Sequence, residues 1–287
     1  MTLTLDGSRA TGDRQATSPQ SPFPAAEQLA TVVSNASVNR EYKHLIVACA
    51  PPATEAAPGQ FFHLLCPMAG EDTPYLRRPM SVYRIDAPAG RIEFLYKITG
   101  AGTRGIAQLE PGQRFDMLGP LGIGFHLEEK WRHVVVVGRG VGLATLAPLA
   151  AAARDRGIGV TAIFSARRPE LLMSVELFRA QGAEVITVTD SEGTSGPAHV
   201  ERQLHQLIAE GKADALFTCG SNRLMLLLQR LGHEHGIPGQ VALEQQMACG
   251  LGMCFCCVRD FHVDGAVTHR RVCWEGPVFD LQEALSW

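Results

Sequence analysis

The sequence predicts an antiparallel β-barrel, followed by a doubly wound α/β domain with a parallel sheet and a small cysteine-rich C-terminal segment. Three observations predict it. Short β-type runs separated by Pro and Gly clusters fill the chain from about Ala30. From His133 onward, strand-like and helix-like stretches alternate. Five of the eight cysteines fall between Glu244 and Cys273.

Length and composition allow this and exclude several alternatives. The 287 residues leave room for two compact domains and an appendage, and 46% hydrophobic with 19% charged residues is the composition of a globular chain. A net charge of −3 argues against nucleic acid as the main partner, because phosphate backbones select basic surfaces. No apolar run reaches the ~18 residues of a membrane span. The longest candidate, residues 141–153, is interrupted by Pro148. The N-terminal stretch has no apolar core of a secretory signal, so reduced thiols and a cytoplasmic location are expected.

Residues 1–26, rich in Ser, Thr, Gly, Pro and Gln, read as a disordered tail. The barrel is expected over residues 27–128, with strands in ATVVSNASVN, HLIVACA and QFFHLLC. Within it, Arg77, Arg78, Pro79, Met80, Ser81, Val82 and Tyr83 put a basic pair, a proline and a hydroxyl ahead of an aromatic strand residue. An Arg fork can neutralise a phosphate and a Tyr can lie against a flat ring; a strand that simply begins with Pro is the plainer reading. Lys97, Ile98, Thr99, Gly100, Ala101, Gly102 and Thr103 form a turn able to offer N–H groups to an anion, or an ordinary Gly-rich turn. Gly119-Pro120-Leu121-Gly122 closes the region.

The α/β domain is expected over residues 129–240. Residues 134–137 form a continuous β-branched apolar run, as in a buried parallel strand. Gly138, Arg139, Gly140, Val141 and Gly142 follow, ahead of a helical stretch over 143–156. Strand, glycine turn and helix together bring amides and a helix N-terminus to a pyrophosphate, although the spacing is G-x-G-x-G rather than G-x-G-x-x-G. Strands at 160–164, 184–189, 215–218 and 241–243 alternate with helices at 169–181, 200–210 and 222–234. Ligands of such sheets sit at the carboxyl ends of the strands, where Gly138 to Gly142, Ser165-Ala166-Arg167 and Cys219-Gly220 fall. Cys219 could touch a cofactor ring there, but core filling is the favoured reading, as it is for Cys49 and Cys66. The ten histidines show no ligand spacing, and none is assigned to a metal.

The C-terminal segment, residues 241–287, carries the strongest signal. Cys249, Cys254, Cys257 and Cys273 give C-x4-C-x2-C and a distant fourth Cys, the plant-type pattern for a [2Fe–2S] cluster. Ala248, Gly250 and Gly252 allow the backbone to curl around an inorganic core with its amides toward sulfur. Structural zinc usually shows two C-x2-C knuckles, and only one is present. Disulfides would require an oxidising compartment. Cys256 beside Cys257 is a second candidate for the third ligand, and spacing leaves that choice open.

Together these motifs resemble the ferredoxin–NADP reductase superfamily, and within it the electron-transfer subunits of NAD-linked dihydroorotate dehydrogenases. The similarity spans nearly everything after the tail. It implies an FAD site at Arg78, Pro79, Ser81 and Val82, with Tyr83 and Lys97 beside it. It also implies flavin-phosphate contacts at Gly100, Gly102 and Thr103, a nicotinamide nucleotide turn at Gly138, Gly140 and Gly142, and a strand-end pair Cys219 and Gly220 near the nicotinamide. LEQQMACGLGMCFCC followed by VCWEGPVF resembles the cluster-binding tail and selects Cys249, Cys254, Cys257 and Cys273 as ligands. Arg139 interrupting the glycines, the late Ala147-Pro148, Cys256 in place of a small residue and Cys219-Gly220-Ser221 depart from the pattern and suggest a paralogous branch whose partner need not act on dihydroorotate.

The implied function is that of an electron-transfer flavoprotein subunit carrying FAD, a [2Fe–2S] cluster and NAD(H), and exchanging electrons with a flavin-containing catalytic subunit of a hetero-oligomer, as in pyrimidine metabolism. NADP(H) stays open, because Arg167 and Arg168 after the second strand could meet a 2′-phosphate. The alternatives are a free-standing reductase feeding an oxygenase or diffusible acceptor, and a non-catalytic zinc-stabilised binding module. No paired carboxylates or nucleophile–base set stands out, which fits chemistry carried by cofactors.

Overall fold

The structure, a computed structural model, describes residues 25–71 and 73–286. The tail expected over residues 1–26 thus lies almost wholly outside the described residues, and its last residue, Ala26, already opens a strand.

Seven strands form the first sheet: β1 (Ala26–Ser37), β2 (Tyr42–Ala48), β3 (Phe61–Leu64), β4 (Arg78–Ser81), β5 (Arg84–Asp86), β6 (Arg91–Lys97) and β7 (Arg114–Leu121). Their order is β4-β3-β7-β1-β2-β6-β5 and every pairing is antiparallel. β4 and β5 stand at opposite edges, yet β4 also approaches β6 next to the far edge, so the sheet curls into a half-barrel. Its interior is filled by one alternating set, including Leu45, Val47, Phe62, Phe94, Tyr96 and Met117, as strand periodicity requires. The glycine–threonine turn forms the start of a helix, α1 (Ala101–Ala107). Thr103 Oγ1 accepts the N–H groups of Thr99 and Gly100 at 2.8 and 3.0 Å, and this fixes the turn.

The second sheet begins with β8 (His133–Arg139), followed by α2 (Gly142–Asp155), β9 (Gly159–Ala166), α3 (Val175–Ala180), β10 (Glu184–Thr189), α4 (Pro197–Ala209), β11 (Ala215–Cys219), α5 (Asn222–His235) and β12 (Gly239–Ala242). The order β10-β9-β8-β11-β12 is parallel throughout. Val134 and Val136 enter the core on one face, Val135 and Val137 the core on the other. That two-sided burial is why the run is apolar without alternation.

The helix expected over 169–181 is shorter than its sequence suggests. A single tight turn at Pro169–Leu171 precedes a left-handed Ser174 (φ 65°), and only then does α3 begin. Leu171 and Met173 are buried, and Tyr83 Oη bonds Ser174 Oγ at 3.0 Å. Tertiary contact with the half-barrel thus overrides the helical tendency.

A hairpin of β13 (Val258–Val263) and β14 (Ala266–Arg271) carries the C-terminal segment away from the sheet. β15 (Val278–Asp280) then returns and pairs antiparallel with β12. A boundary at 240/241 cuts β12, so the segment shares the sheet of the domain before it.

Candidate functional site

The half-barrel, the parallel sheet and the C-terminal segment meet around a cleft of about 410 Å³. Arg78, Pro79, Ser81, Lys97 and Thr103 line it from the half-barrel, and Val141, Ala144 and Thr145 from the start of α2. Leu243, Glu244, Gln245 and Met247 line it from the chain leading out of β12. Glu244 is open to solvent in the cleft, yet the surrounding protein mass raises the pKa of its carboxyl.

Arg78 is fixed by donating to the Leu76 carbonyl at 2.6 Å, and its side chain lies across Gly102. A Cβ at Gly102 would stand 2.8 Å from Arg78 Nε, so glycine there is needed for close approach. Gly100, by contrast, faces open space. Lys97 pairs with Glu41 at 3.0 Å. Two residues of the proposed flavin set lie away from the cleft. The Val82 side chain is fully buried in the half-barrel core, and Tyr83 packs edge-on to His44 with its hydroxyl on Ser174. β4 ends at Ser81, and the chain crosses from there to β5 at the other edge of the sheet, which carries these two side chains away from the cleft.

At the nucleotide turn, only Gly140 has a left-handed backbone (φ 59°), and its N–H already bonds the Ser165 carbonyl at 3.2 Å. Gly138 and Gly142 are glycines for another reason. A Cβ at Gly138 would meet Leu143 at 2.7 Å, and one at Gly142 would meet the Cys219 carbonyl at 2.3 Å. Arg139 reaches Ser165 Oγ at 2.7 Å and Asp190 Oδ2 at 2.7 Å, spanning the ends of β9 and β10. Arg139, with help from the Ser195 hydroxyl, lowers the Asp190 pKa to about 2. Arg167 is committed to Glu41 at 2.7 Å.

Cys219 is 1% exposed, and burial pushes its thiol up to about 12 despite a hydrogen bond with Thr145. It lies one side chain behind the cleft wall. Gly220 (φ 75°) lines an adjoining cavity of about 120 Å³ that shares Leu243 and Glu244 with the main cleft.

The loop between β12 and β13 carries Cys249, Cys254 and Cys257, the turn after β14 carries Cys273, and the four stand as two pairs. Cys257 and Cys273 are each 1% exposed; the Cys273 N–H points at Cys257 Sγ (3.4 Å), and the two thiols share a hydrogen bond. That bond, helped by backbone amides, lowers the pKa of Cys257 while Cys273 keeps its proton. Burial works against ionisation of Cys249, but the N–H groups of Leu251, Cys254 and Met253 and the Cys254 thiol outweigh it. Leu251 N–H lies 3.3 Å from Cys249 Sγ, and Gly252 N–H 3.2 Å from Cys273 Sγ. Gly250 (φ 71°) and Gly252 (φ 73°) supply the left-handed turns that aim these amides. Arg271 braces the loop by donating to the Gly252 carbonyl at 3.0 Å, and Trp274 covers Gly252. Cys256 is exposed. No three or more His, Cys, Asp or Glu side chains among the described residues gather as they would around one metal ion. Two thiol pairs with amides aimed at sulfur fit a two-iron group, in which each iron takes two thiolates.

His63, left unassigned in the sequence, lies beside this loop. It is fully buried, neither ring nitrogen has a partner, and burial, reinforced by Arg77, lowers its pKa to about 4. The alternation in QFFHLLC carried the signal. Phe62 and Leu64 point into the half-barrel core, so Phe61 and His63 face the other way, toward the cleft and the C-terminal segment.

Comparison with known proteins agrees with this geometry. The family model for the iron-sulfur cluster binding domain of dihydroorotate dehydrogenase B matches residues 244–285. The chain is 33% identical over 225 residues to the dihydroorotate dehydrogenase B (NAD(+)) electron transfer subunit of Desulforamulus reducens, covering 78% of this chain and 85% of that protein. It is 35% identical over 233 residues to the subunit of the same name from Bacillus caldolyticus, covering 79% and 86%. Among solved structures, one describing an NADH-dependent reduced ferredoxin–NADP oxidoreductase superposes with a TM-score of 0.75 at 26% identity over 89% of each chain. The ferredoxin reductase of carbazole 1,9a-dioxygenase shares the fold, with a TM-score of 0.61 at 19% identity over 76% of this chain and 68% of that one.

Proposed function

The chain belongs to the family of dihydroorotate dehydrogenase B electron-transfer subunits, and from that premise we propose how its own residues serve the role. It is an oxidoreductase subunit that moves electrons between NAD(H), FAD and a [2Fe–2S] cluster, to or from a catalytic partner. A flavin held here would supply hydride exchange with nicotinamide and single-electron transfer to the cluster. The observation that carries the assignment of roles is the convergence of all three chain regions on one cleft.

Arg78 holds a flavin phosphate, and Gly102 and Thr103 shape the turn that receives it. Pro79, Ser81 and Lys97 line the flavin's place, while Val82 and Tyr83 support it from behind. Nicotinamide nucleotide enters over the carboxyl ends of β8 and β11, where Gly140 and Gly220 leave the backbone open. Arg167 is paired to Glu41 and Arg139 to Asp190, whereas Arg168 among the described residues meets only Glu170 at 3.8 Å and stays available to a 2′-phosphate, so the support for NADH as the donor comes from the NAD(+)-linked relatives. Cys249, Cys254, Cys257 and Cys273 hold the cluster. The buried pairing of Cys257 with Cys273 supports Cys257 over Cys256 as the third ligand.

Leu251, Met253 and Phe255 stand 37%, 80% and 63% exposed on the same loop. Apolar side chains left open beside a redox centre suit burial against the flavin-containing catalytic subunit, a dihydroorotate-dehydrogenase-like partner. No helix among the described residues is long and apolar enough to cross a membrane. With all eight cysteines as free thiols, we place the complex in the cytoplasm.

Anaerobic co-expression with the catalytic partner, followed by iron, sulfide and flavin analysis and NADH titration of the visible spectrum, tests this reading. Two irons and one FAD per chain, both bleached by NADH, are expected. A colourless protein containing zinc would overturn it.

A further inference from the structure

The half-barrel keeps two leucines on its outer face. Ala30 and Val32 of β1, Leu64 of β3 and Met117 of β7 point into its core, as does Cys66 just past the end of β3. The residues between them point outward. Leu29 is 56% and Leu65 43% exposed, where a strand face open to water normally carries polar side chains. Pairing puts the two leucines in one row: Leu29 stands opposite Asp116, and the Leu65 N–H donates to the Asp116 carbonyl at 3.0 Å. Asp116, between them, is neutralised by Arg77, which also holds Glu27.

The next row on this face lies two residues further along each strand, about 7 Å away. It contains Glu27 and His63, both opposite Leu118. Here the C-terminal segment sits down on the half-barrel. A Cβ built on Gly250 would stand 3.0 Å from the His63 ring, and Leu118 packs against the core that includes Met247, Cys257 and Cys273. The leucine row therefore borders the cluster loop, and Leu251 follows Gly250 directly.

We propose that the catalytic subunit docks on this outer face as well as on the cluster loop, burying Leu29 and Leu65 in one continuous contact with Leu251, Met253 and Phe255. The inference rests on the reading that the partner covers that loop. Area argues for the extension. Three side chains of this size bury roughly 500 Å² at most, whereas a stable interface takes about 800 Å² from each partner. On its other flank the loop leads into the β13–β14 hairpin, which exposes Asp260, His262, Asp264 and His269 beside one large apolar side chain, Val267. The apolar continuation is the half-barrel row. Because Arg77 already balances Asp116 and Glu27, the surface of the partner that fits here is apolar and brings no charge of its own to the centre.

The test is sedimentation of the anaerobically co-expressed holo-complex across a dilution series, for the wild type and for Leu29→Glu, Leu65→Glu, Met253→Glu and Val38→Glu. Val38 is equally open to solvent but lies past the far end of β1. Leu29→Glu and Leu65→Glu should each weaken the complex at least tenfold, because a carboxylate is then buried without a partner. FAD and iron contents of the separated subunit should match the wild type, and Val38→Glu should bind within twofold of it. If Met253→Glu weakens the complex while Leu29→Glu and Leu65→Glu stay within twofold of wild type, the contact ends at the cluster loop and the proposal is wrong. It is equally overturned if the two leucine variants change only self-association of the isolated chain, since the face would then bind a second copy. Should both leucine variants lose FAD, hydroxyl-radical footprinting of the wild type with and without the catalytic subunit decides, and unprotected Leu29 and Leu65 are the negative result. A complex indifferent to Met253→Glu would instead sink the reading of the loop itself.

Discussion

Two glycine-rich turns, Gly138 to Gly142 and Cys249 to Cys254, look alike in sequence and are built for different reasons. In the cysteine turn both glycines adopt left-handed backbone, and the amides around them point at sulfur. In the nucleotide turn only Gly140 does so, while Gly138 and Gly142 are small because Leu143 and the Cys219 carbonyl press against them. One turn uses glycine for conformation, the other mostly for close packing. That difference explains how Arg139 can interrupt the nucleotide turn without harm. Its side chain leaves the turn for Ser165 and Asp190.

Substitutions can sharpen or break this contrast. The largest effect is expected from Cys257→Ser, which should remove the cluster outright by iron and sulfide analysis while FAD stays bound, whereas Cys256→Ser should keep both. A normal cluster spectrum in Cys257→Ser would reverse the ligand choice. Outside both turns, Arg78→Ala should weaken FAD binding by about 1.5–3 kcal/mol, the worth of a hydrogen bond to a charged group, and leave the iron content unchanged. Flavin retention through dialysis at the wild-type level would remove Arg78 from the site. Gly142→Ala should cost about 1–3 kcal/mol of stability through overpacking, measured by denaturant midpoint. Gly140→Ala, with its nearest neighbour Tyr42 Oη at 3.4 Å, should cost only about 1–2 kcal/mol from left-handed strain. The smallest effect concerns Asp190→Asn. The Asp190 pKa is depressed from 3.8 to about 2, so its ion pair stabilises the folded chain above pH 3.8 and loses that contribution as the pH falls toward 2. With 43% of the side chain exposed, solvent screening keeps the gain below about 1 kcal/mol. The stability gap between variant and wild type should close across that acid window.

The parts legible in the sequence are those in which neighbours along the chain are also neighbours in space. Cys249, Cys254 and Cys257 lie within nine residues, and the buried valines of β8 announce their two-sided burial directly. The cleft was legible only where a motif stood for it. Thr145 and Met247 line it and Cys219 stands behind it, yet no local pattern ties together residues so far apart in the chain. His63 escaped notice because a single histidine in an apolar strand normally fills a core. Only its missing partners and its contact with Gly250 set it apart. Tyr83 misled for the opposite reason: an aromatic after an Arg-Pro pair suggests a ring platform, but β4 ends at Ser81 and the crossing to β5 carries Tyr83 to Ser174.

The return of β15 onto β12 has a consequence for anyone trimming the chain. β12 would otherwise end the parallel sheet with Gln240, Val241 and Ala242 offering an unpaired hydrogen-bonding edge. β15 covers it, as a natural protein must cover a bare strand to avoid pairing with its own copies. Deleting the C-terminal segment to isolate a soluble reductase core would therefore uncover a template for self-association, and insolubility of such a fragment would say nothing about whether the remaining domains fold.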